Sequence, residues 1–408
     1  MRVYVATEQR FVERDGQLYV DGVAHYGFWQ RYLDVFDDVT IVARIKSVDV
    51  VPVGWLVATG AHVGYFAMPY YEGPVEFARV AMRFLKVARQ VAKRSGAFIL
   101  RAPGVTCNAL WLHLQQMRKP FALEVVGDPH DALSPLVWRK WWIRPLRRVA
   151  VHLLKLQCRT ASSGIAYVTH AALQRRYPPG AHTKSYGIPT GVKIYGISDV
   201  QLTNNGFDVV PRTPTRPDNR SWRLVYVGSL AALYKGQEVL LKAVSQCVRE
   251  GLDIELVMVG GGRYQPYLEN LALQLGIRDR TQWRGHLSNA NEVFAELQQA
   301  HLFILPSFTE GMPRAMIEAM AYGLPCVGTA VGGIPELLTD ADLVPAGNAS
   351  ALALKIKEVL IDPDRMARMS QRNLMVAQEY RAERLRARRV EFYQHVRTIS
   401  TNYLVSKK

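Results

Sequence analysis

Cysteine is scarce in this chain: Cys107, Cys158, Cys247 and Cys326 stand far apart among 408 residues, with no Cys-x-x-Cys pair. That spacing signals neither a zinc ligand set nor a disulfide framework, and a reducing cytosol is the simplest setting. The opening Met-Arg-Val-Tyr-Val-Ala lacks the basic, apolar and small-residue regions of a secretory leader and reads as a first strand. A long unbroken apolar run is missing too. The stretch from Val50 to Tyr71 carries no formal charge and is about long enough to cross a bilayer, but Pro52, Gly54, Gly60 and Gly64, with Thr59 and His62, interrupt it. Buried strands and turns are expected there instead.

Acid is in short supply. The net charge is +16, and residues 1–205 hold 26 Lys/Arg against 14 Asp/Glu, while residues 206–408 hold 25 against 21. A basic first half attracts anionic partners such as phosphates or acidic lipids. No recognised RNA- or DNA-binding module accompanies the charge, so nucleic acid is not an expected partner. Nor does an Asp-x-Asp pair stand where it would bridge a metal convincingly, and no metal or resident cofactor is expected.

With 49% hydrophobic and 21% charged residues, the chain can bury a large core, and its length suits two or three domains. Short β-rich runs alternate with longer amphipathic ones, the pattern of parallel sheets covered by helices on both faces. Candidate strands are Val3–Ala6, Val39–Arg44, Ala97–Leu100, Ala122–Val126 and Gly164–Val168, then Leu224–Val227, Ile254–Val259, Leu302–Leu305 and Pro325–Val327. Helices are expected over 75–94, 236–250, 264–275, 313–322 and 350–360. The Pro-, Asn- and Arg-rich stretch 204–221 is the best boundary, dividing a first domain, 1–203, from a second, 222–378. A last helix, over about residues 379–397 of the carboxyl-terminal segment 379–408, sets Leu385, Phe392 and Val396 to one side and Arg381, Arg384, Arg388 and Arg389 among its polar positions, which reads as a packed helix with a solvated basic face.

The chemistry is concentrated after the strand ending at Leu305-Pro306, where Ser307-Phe-Thr-Glu310-Gly311-Met312 leads into a helix with Pro313 near its first turn. Free amides and the helix dipole there favour an anion such as a diphosphate, and Gly311 lets backbone approach a ligand. Glu310 precedes the helix and Glu318 lies about two turns along it, so the two carboxylates are placed to hold separate hydroxyl-bearing parts of one extended ligand. Two glutamates eight apart are a weak signal alone. Their surroundings strengthen it: a strand, then Gly228-Ser229, then Lys235-Gly236 opening a helix; a strand ending in Gly260-Gly261-Gly262; the run Thr281-Gln-Trp-Arg284-Gly-His; and Gly332-Gly333 after another strand.

In this order the motifs resemble the nucleotide-sugar domain of glycosyltransferase family 4, retaining enzymes of the GT-B fold, over about residues 222–378. The resemblance implies an α/β chain of two doubly wound Rossmann-like domains facing a central cleft, the first binding acceptor and the second binding a nucleoside-diphosphate sugar. It implies that Glu310 contacts the transferred sugar, Glu318 the ribose and Lys235 the diphosphate. Backbone around Gly311, Met312, Pro313 and Arg314 would hold phosphate or sugar, with the chain near Trp283-Arg284 at the base. Many members carry arginine where this chain has Ser229, so the phosphate grip would fall more heavily on Lys235. A sugar-nucleotide epimerase or a phosphorylase of the same architecture is the alternative.

The first half departs further from the family pattern. A paired-glycine loop under the donor phosphate is missing; Gly16 or Gly22 would supply a flexible approach there, or else Asp15-Gly16 is a simple turn. Asp128 and His130, after the strand Leu123–Val126, either face the reacting sugar or belong to a turn capped by Asp128 before Pro129. Trp138-Arg-Lys-Trp-Trp-Ile-Arg144 and the basic residues to Lys155 have the composition of a segment at an acidic membrane surface, or of a plain basic helix. The expected protein is cytoplasmic, at the inner membrane face if that segment binds lipid, and moves sugar to a glycan or polyprenyl-linked acceptor.

Overall fold

The computed structural model describes residues 1–133, 142–180, 193–200, 202, 209–212, 221–287 and 289–407. The chain divides into two compact units, one of 1–129, 148–197 and 386–408, the other of 130–147 and 198–385.

The first unit contains β1 (Arg2–Arg14), β2 (Gln17–Val20), α1 (Tyr26–Leu33), β3 (Asp38–Ser47), β4 (Leu56–Val57), β5 (Val63–Met68), α2 (Gly73–Lys93), β6 (Ala97–Ala102), α3 (Val105–Gln116) and β7 (Ala122–Val125). Next in the chain come the short α4 (Pro129–Ala132) and α5 (Ile143–Thr160), of which residues 130–147 belong to the second unit, and then β8 (Ile165–Tyr167), α6 (Ala172–Arg176) and β9 (Ile194–Gly196) of the first. Parallel pairing runs β5-β3-β1-β6-β7-β8-β9, with the β2 hairpin and β4 added antiparallel at the far end of β1. Strand β6, Ala-Phe-Ile-Leu-Arg-Ala, is buried at every position, as a central strand covered on both faces must be. Strand progression from β5 through β6 and β7 to β8 puts α2, α3 and α5 on one face by the right-handed crossover rule.

The second unit has β10 (Trp222–Val227), α7 (Gln237–Arg249), β11 (Ile254–Val259), α8 (Gln265–Gln274), β12 (Thr281–Gly285), α9 (Ala290–Gln299), β13 (Leu302–Leu305), α10 (Arg314–Ala321), β14 (Cys326–Thr329), α11 (Ile334–Leu337), β15 (Leu343–Val344), α12 (Ala349–Leu360) and α13 (Pro363–Ala377). Its all-parallel sheet has the order β12-β11-β10-β13-β14-β15, reversing direction between β10 and β13. Ligand crevices in doubly wound sheets form at the carboxyl ends beside such a switch. Helix α7 shows why these residues become a covered helix: Leu240, Leu241, Val244 and Cys247 recur at helical spacing and are fully buried. Asn348 and Asp362 cap α12 and α13, each accepting from an amide three residues on, at 2.9 and 2.8 Å.

The last helix, α14 (Ala382–Val405), starts later and runs further than its sequence pattern suggests. Leu385, Phe392, Tyr393 and Val396 are buried, the last three in the core of the first unit. Arg389, read from sequence as a polar-face position, is also buried, because a guanidinium on a densely packed helix can bury its stem. The stretch from Val50 to Tyr71 forms strands and turns that are buried in part: Ala58, Val63, Met68 and Tyr71 are buried, whereas Val50 and Val53 are exposed, as are Leu56 and Val57 of the edge strand β4. No helix among the described residues is long and apolar enough to cross a membrane. All four cysteines are buried and free, and burial pushes the thiols of Cys247 and Cys158 up to about 11 and 12. The proposed boundary falls mostly outside the described residues, as do Trp138, Arg139, Lys140 and Trp141.

Candidate active site

In the second unit the carboxyl ends of β10, β11, β13 and β14 each run into a glycine-bearing loop, and the glycines let these loops touch. A Cβ on Gly260 would lie 2.0 Å from the Gly228 carbonyl oxygen, one on Gly236 1.9 Å from that of Pro306, and one on Gly332 1.8 Å from that of Glu310. Those separations are far inside contact distance, so no side chain fits. Hydrogen bonds staple the loops further: the Phe308 amide donates to the Tyr234 carbonyl at 2.8 Å, and the Gly333 amide to that of Gly311 at 2.8 Å.

Inside this cluster Lys235 and Glu310, 75 residues apart, meet: Lys235 Nζ donates to Glu310 Oε1 at 2.8 Å. Ser307 Oγ donates to the same oxygen at 2.7 Å and is itself fully buried. The Ser307 carbonyl accepts from Thr329 Oγ1 at 2.6 Å, which ties the base of the Glu310 loop to β14. Glu310 is thus a buried carboxylate held by one cation and one hydroxyl, the arrangement a buried charge requires. Beneath it the Tyr226 hydroxyl is pushed well above its ordinary range by burial first, then by the Glu310 charge. Ser307, Thr329 and Tyr226 were not singled out from sequence; the position of Ser307, two residues past the end of β13, was the available signal.

Of the other expected donor residues, Gly228 adjoins the pair, since a Cβ on it would lie 3.2 Å from Lys235 Cδ. Gly228 donates its amide to the Val259 carbonyl at 2.9 Å, and exposed Ser229 caps the next turn by accepting from the Ala231 amide at 3.2 Å. Pro313 is not the first helical residue but the N-cap of α10, with extended backbone, so Arg314 opens the helix and is exposed. Proline fits there because its carbonyl still accepts, here from the Ile317 amide at 3.2 Å. Met312 is buried against Tyr380, whose hydroxyl lies 3.7 Å from its sulfur. Glu318 is half-buried and its carboxylate makes no hydrogen bond among the described residues. Burial raises its pKa, an effect that Arg314 one turn earlier partly offsets. Arg284 on β12 is engaged by Glu296, at 2.7 Å, which also holds Arg223 at 2.7 Å.

In the first unit Gly16 occupies the turn of the β1–β2 hairpin: Asp15 and Gly16 both have positive φ, 52° and 78°, and the Gly16 amide donates to Glu13 Oε1 at 2.9 Å. Of its two readings, the turn is the one observed. Asp128 is buried and accepts from the Arg176 guanidinium and the Tyr177 hydroxyl, so it clasps the α6 segment and is more than a local turn cap. His130 is half-exposed, with Nδ1 2.7 Å from Asp131 Oδ1. A pocket of about 680 Å³ opens beside the middle of β1 and the ends of β6 and β7, and its lining includes Glu8, Arg10, Asp21, Trp55, Tyr70 and Arg101. Glu8 stands at a register break in β1 and accepts from the Thr106 amide at the start of α3. This internal carboxylate satisfies a helix N-terminus beside the strand where the family's paired glycines are missing. Among the described residues no group of three or more His, Cys, Asp or Glu is set to hold a metal.

Two doubly wound units, with glycine-paired loops at the strand ends of the second, constitute the GT-B fold of glycosyltransferases. Residues 212–374 match the family model described as glycosyl transferases group 1. The chain is 28% identical to Protein CapJ of Staphylococcus aureus over 77% of its own length and 76% of that protein's. It is 36% identical to the putative colanic acid biosynthesis glycosyltransferase WcaL of Escherichia coli K12 over 41% of its length, and spans 44% of that relative. Among solved structures, Anabaena HepE in complex with UDP superposes with TM-score 0.59 at 16% identity, covering 99% of each chain.

Proposed function

We propose that this protein is a retaining glycosyltransferase of family 4 that moves a sugar from a UDP- or GDP-linked donor to a glycan or polyprenyl-linked acceptor in polysaccharide assembly. The convergence of Lys235 and Glu310 among the touching glycine loops supports this reading most directly. The UDP in the HepE complex and the biosynthetic role printed for WcaL agree with it.

In this scheme the acceptor hydroxyl attacks the anomeric carbon, the bond from that carbon to the phosphate oxygen breaks, and the hydroxyl proton passes to the departing phosphate. Lys235 and the free amides opening α10 stabilise the negative charge that grows on the diphosphate, a contribution of about 100-fold or more in rate. Glu310 holds hydroxyls of the transferred sugar, and Glu318 those of the ribose. The residues act through fixed charge and dipoles, with no metal or resident cofactor. The pocket bearing Trp55 and Tyr70 is the proposed acceptor site, where aromatic faces meet sugar C–H groups and Glu8, Arg10 and Asp21 meet hydroxyls. The protein works in the cytoplasm at the inner membrane face, where a polyprenyl-linked acceptor is presented.

A thermal-shift panel of UDP-, GDP- and ADP-sugars tests the donor, since a ligand that binds only the folded state raises its melting temperature. A UDP- or GDP-sugar is expected to give the largest shift. Glu310→Ala is expected to abolish transfer to acceptor while the protein stays folded; unchanged turnover would refute the assignment.

A further inference from the structure

The basic excess of the first half has a definite location. No Asp or Glu lies between Glu76 and Glu124, and Glu124 itself is buried beside Arg101. Helix α2 runs through this acid-free stretch. Val75, Arg79, Met82, Lys86, Arg89 and Lys93 follow one another at intervals of 4, 3, 4, 3 and 4 residues. At about 3.6 residues per turn, these positions form one stripe along the helix. All six are exposed, Met82 by 82% and Val75 by 67%. Arg79, Arg83, Lys86, Arg89, Lys93 and Arg94 form no ion pair with any described residue. The opposite side, Phe84, Ala88, Val91 and Ala92, is buried against the unit.

The surface continues beyond α2. His113 of α3 meets the Leu85 carbonyl of α2 at 3.1 Å, and Trp111 of α3 donates to Thr160 of α5 at 3.0 Å, so the three helices lie side by side. Leu112 on α3 is exposed, as are Arg148, Val149, His152 and Arg159 along α5.

The geometry points to this α2–α3–α5 face as a docking surface for a bilayer containing anionic lipid, with α2 lying in the headgroup plane. Unpaired cations meet acidic headgroups, while Val75, Met82 and Leu85 reach the acyl boundary between them. A dissolved polyanion would meet the same cations but would gain nothing from apolar side chains set among them. The proposal gives the membrane-face reading above its surface, and binding is measured without sugar transfer, so either can fail alone.

The test is flotation of the full chain, at low and high salt, with phosphatidylcholine vesicles with and without phosphatidylglycerol. Wild type is expected to float only with the anionic vesicles, less so at high salt. Arg79→Glu/Lys86→Glu/Arg89→Glu is expected to weaken binding by more than about 100-fold, and Met82→Asp by about 10-fold. Both variants should keep the wild-type melting temperature and donor-induced shift. A matched reversal on the second unit, Lys242→Glu/Arg249→Glu/Arg278→Glu, is expected to float as wild type does. No flotation at low salt, equal flotation with neutral vesicles, full binding by either α2 variant, or an equal loss in the matched reversal each overturns the proposal.

Discussion

At the scale of single residues, Lys235 and Glu310 are each other's solvent substitute. Removing the lysine strands a buried carboxylate with only Ser307, whereas removing the carboxylate's charge leaves a lysine that can reach water. Lys235→Ala is therefore expected to lower unfolding free energy by about 2 kcal/mol, more than Glu310→Gln does. Denaturant titration of both singles and the double variant checks this, and additive losses would contradict the coupling. Glu318 behaves oppositely. Its raised pKa means that ionisation works against folding: the penalty is absent below about pH 4, where the carboxyl is protonated folded and unfolded. It then grows as pH rises through the folded-state pKa. Glu318→Gln is expected to melt higher than wild type at pH 7 and equally at low pH, while its donor-induced shift is reduced. A lower melting temperature at pH 7 would contradict the burial argument.

At the scale of elements, the donor loops are held together by what glycine lacks. Gly332→Ala and Gly236→Ala would each push a methyl into a backbone carbonyl from an αL-type position, with φ of 53° and 77°. Each is expected to cost about 3 kcal/mol and to abolish donor-induced stabilisation. Gly16→Ala also has positive φ but meets nothing within 4 Å, and about 1 kcal/mol is expected. Thermal denaturation of the three separates collision from strain. Much of this region was legible in the sequence because its signals are local: β11 and β13 have the bounds that their apolar runs suggest, and the glycines mark where each strand turns. Glu310 and Lys235 were legible as candidates, but their contact spans 75 residues and depends on strand order, which no local pattern carries. The same limit hid the Asp128 clasp, whose partners lie 48 and 49 residues on. The Trp55 and Tyr70 pocket was hidden for a related reason, since its lining comes from segments as far apart as Thr7 and Val126. Edge position limited the reading of residues 50–71, where hydrophobic composition gave no sign that β4 borders the sheet and leaves Leu56 and Val57 exposed.

At the scale of the whole molecule, the second unit is inserted between parts of the first. Tyr393 of α14 stacks on Tyr32 at 4.7 Å and donates to Glu124 Oε1 at 3.0 Å, while Arg386 pairs with Asp34 at 2.8 Å. Each buried aromatic removed from such a core costs about 3 to 5 kcal/mol. Truncation after Leu385 is accordingly expected to make the first unit protease-sensitive while 198–385 remains protected. Limited proteolysis with mass mapping checks it, and an intact first unit would refute it. The insertion also sets a schedule during synthesis. The ribosome delivers every strand of the second unit before it delivers α14, so the donor-side sheet can mature on the nascent chain while the amino-terminal sheet still lacks the helix that seals one face. Premature termination in the last stretch of the message would then spare the half made later and forfeit the half made first.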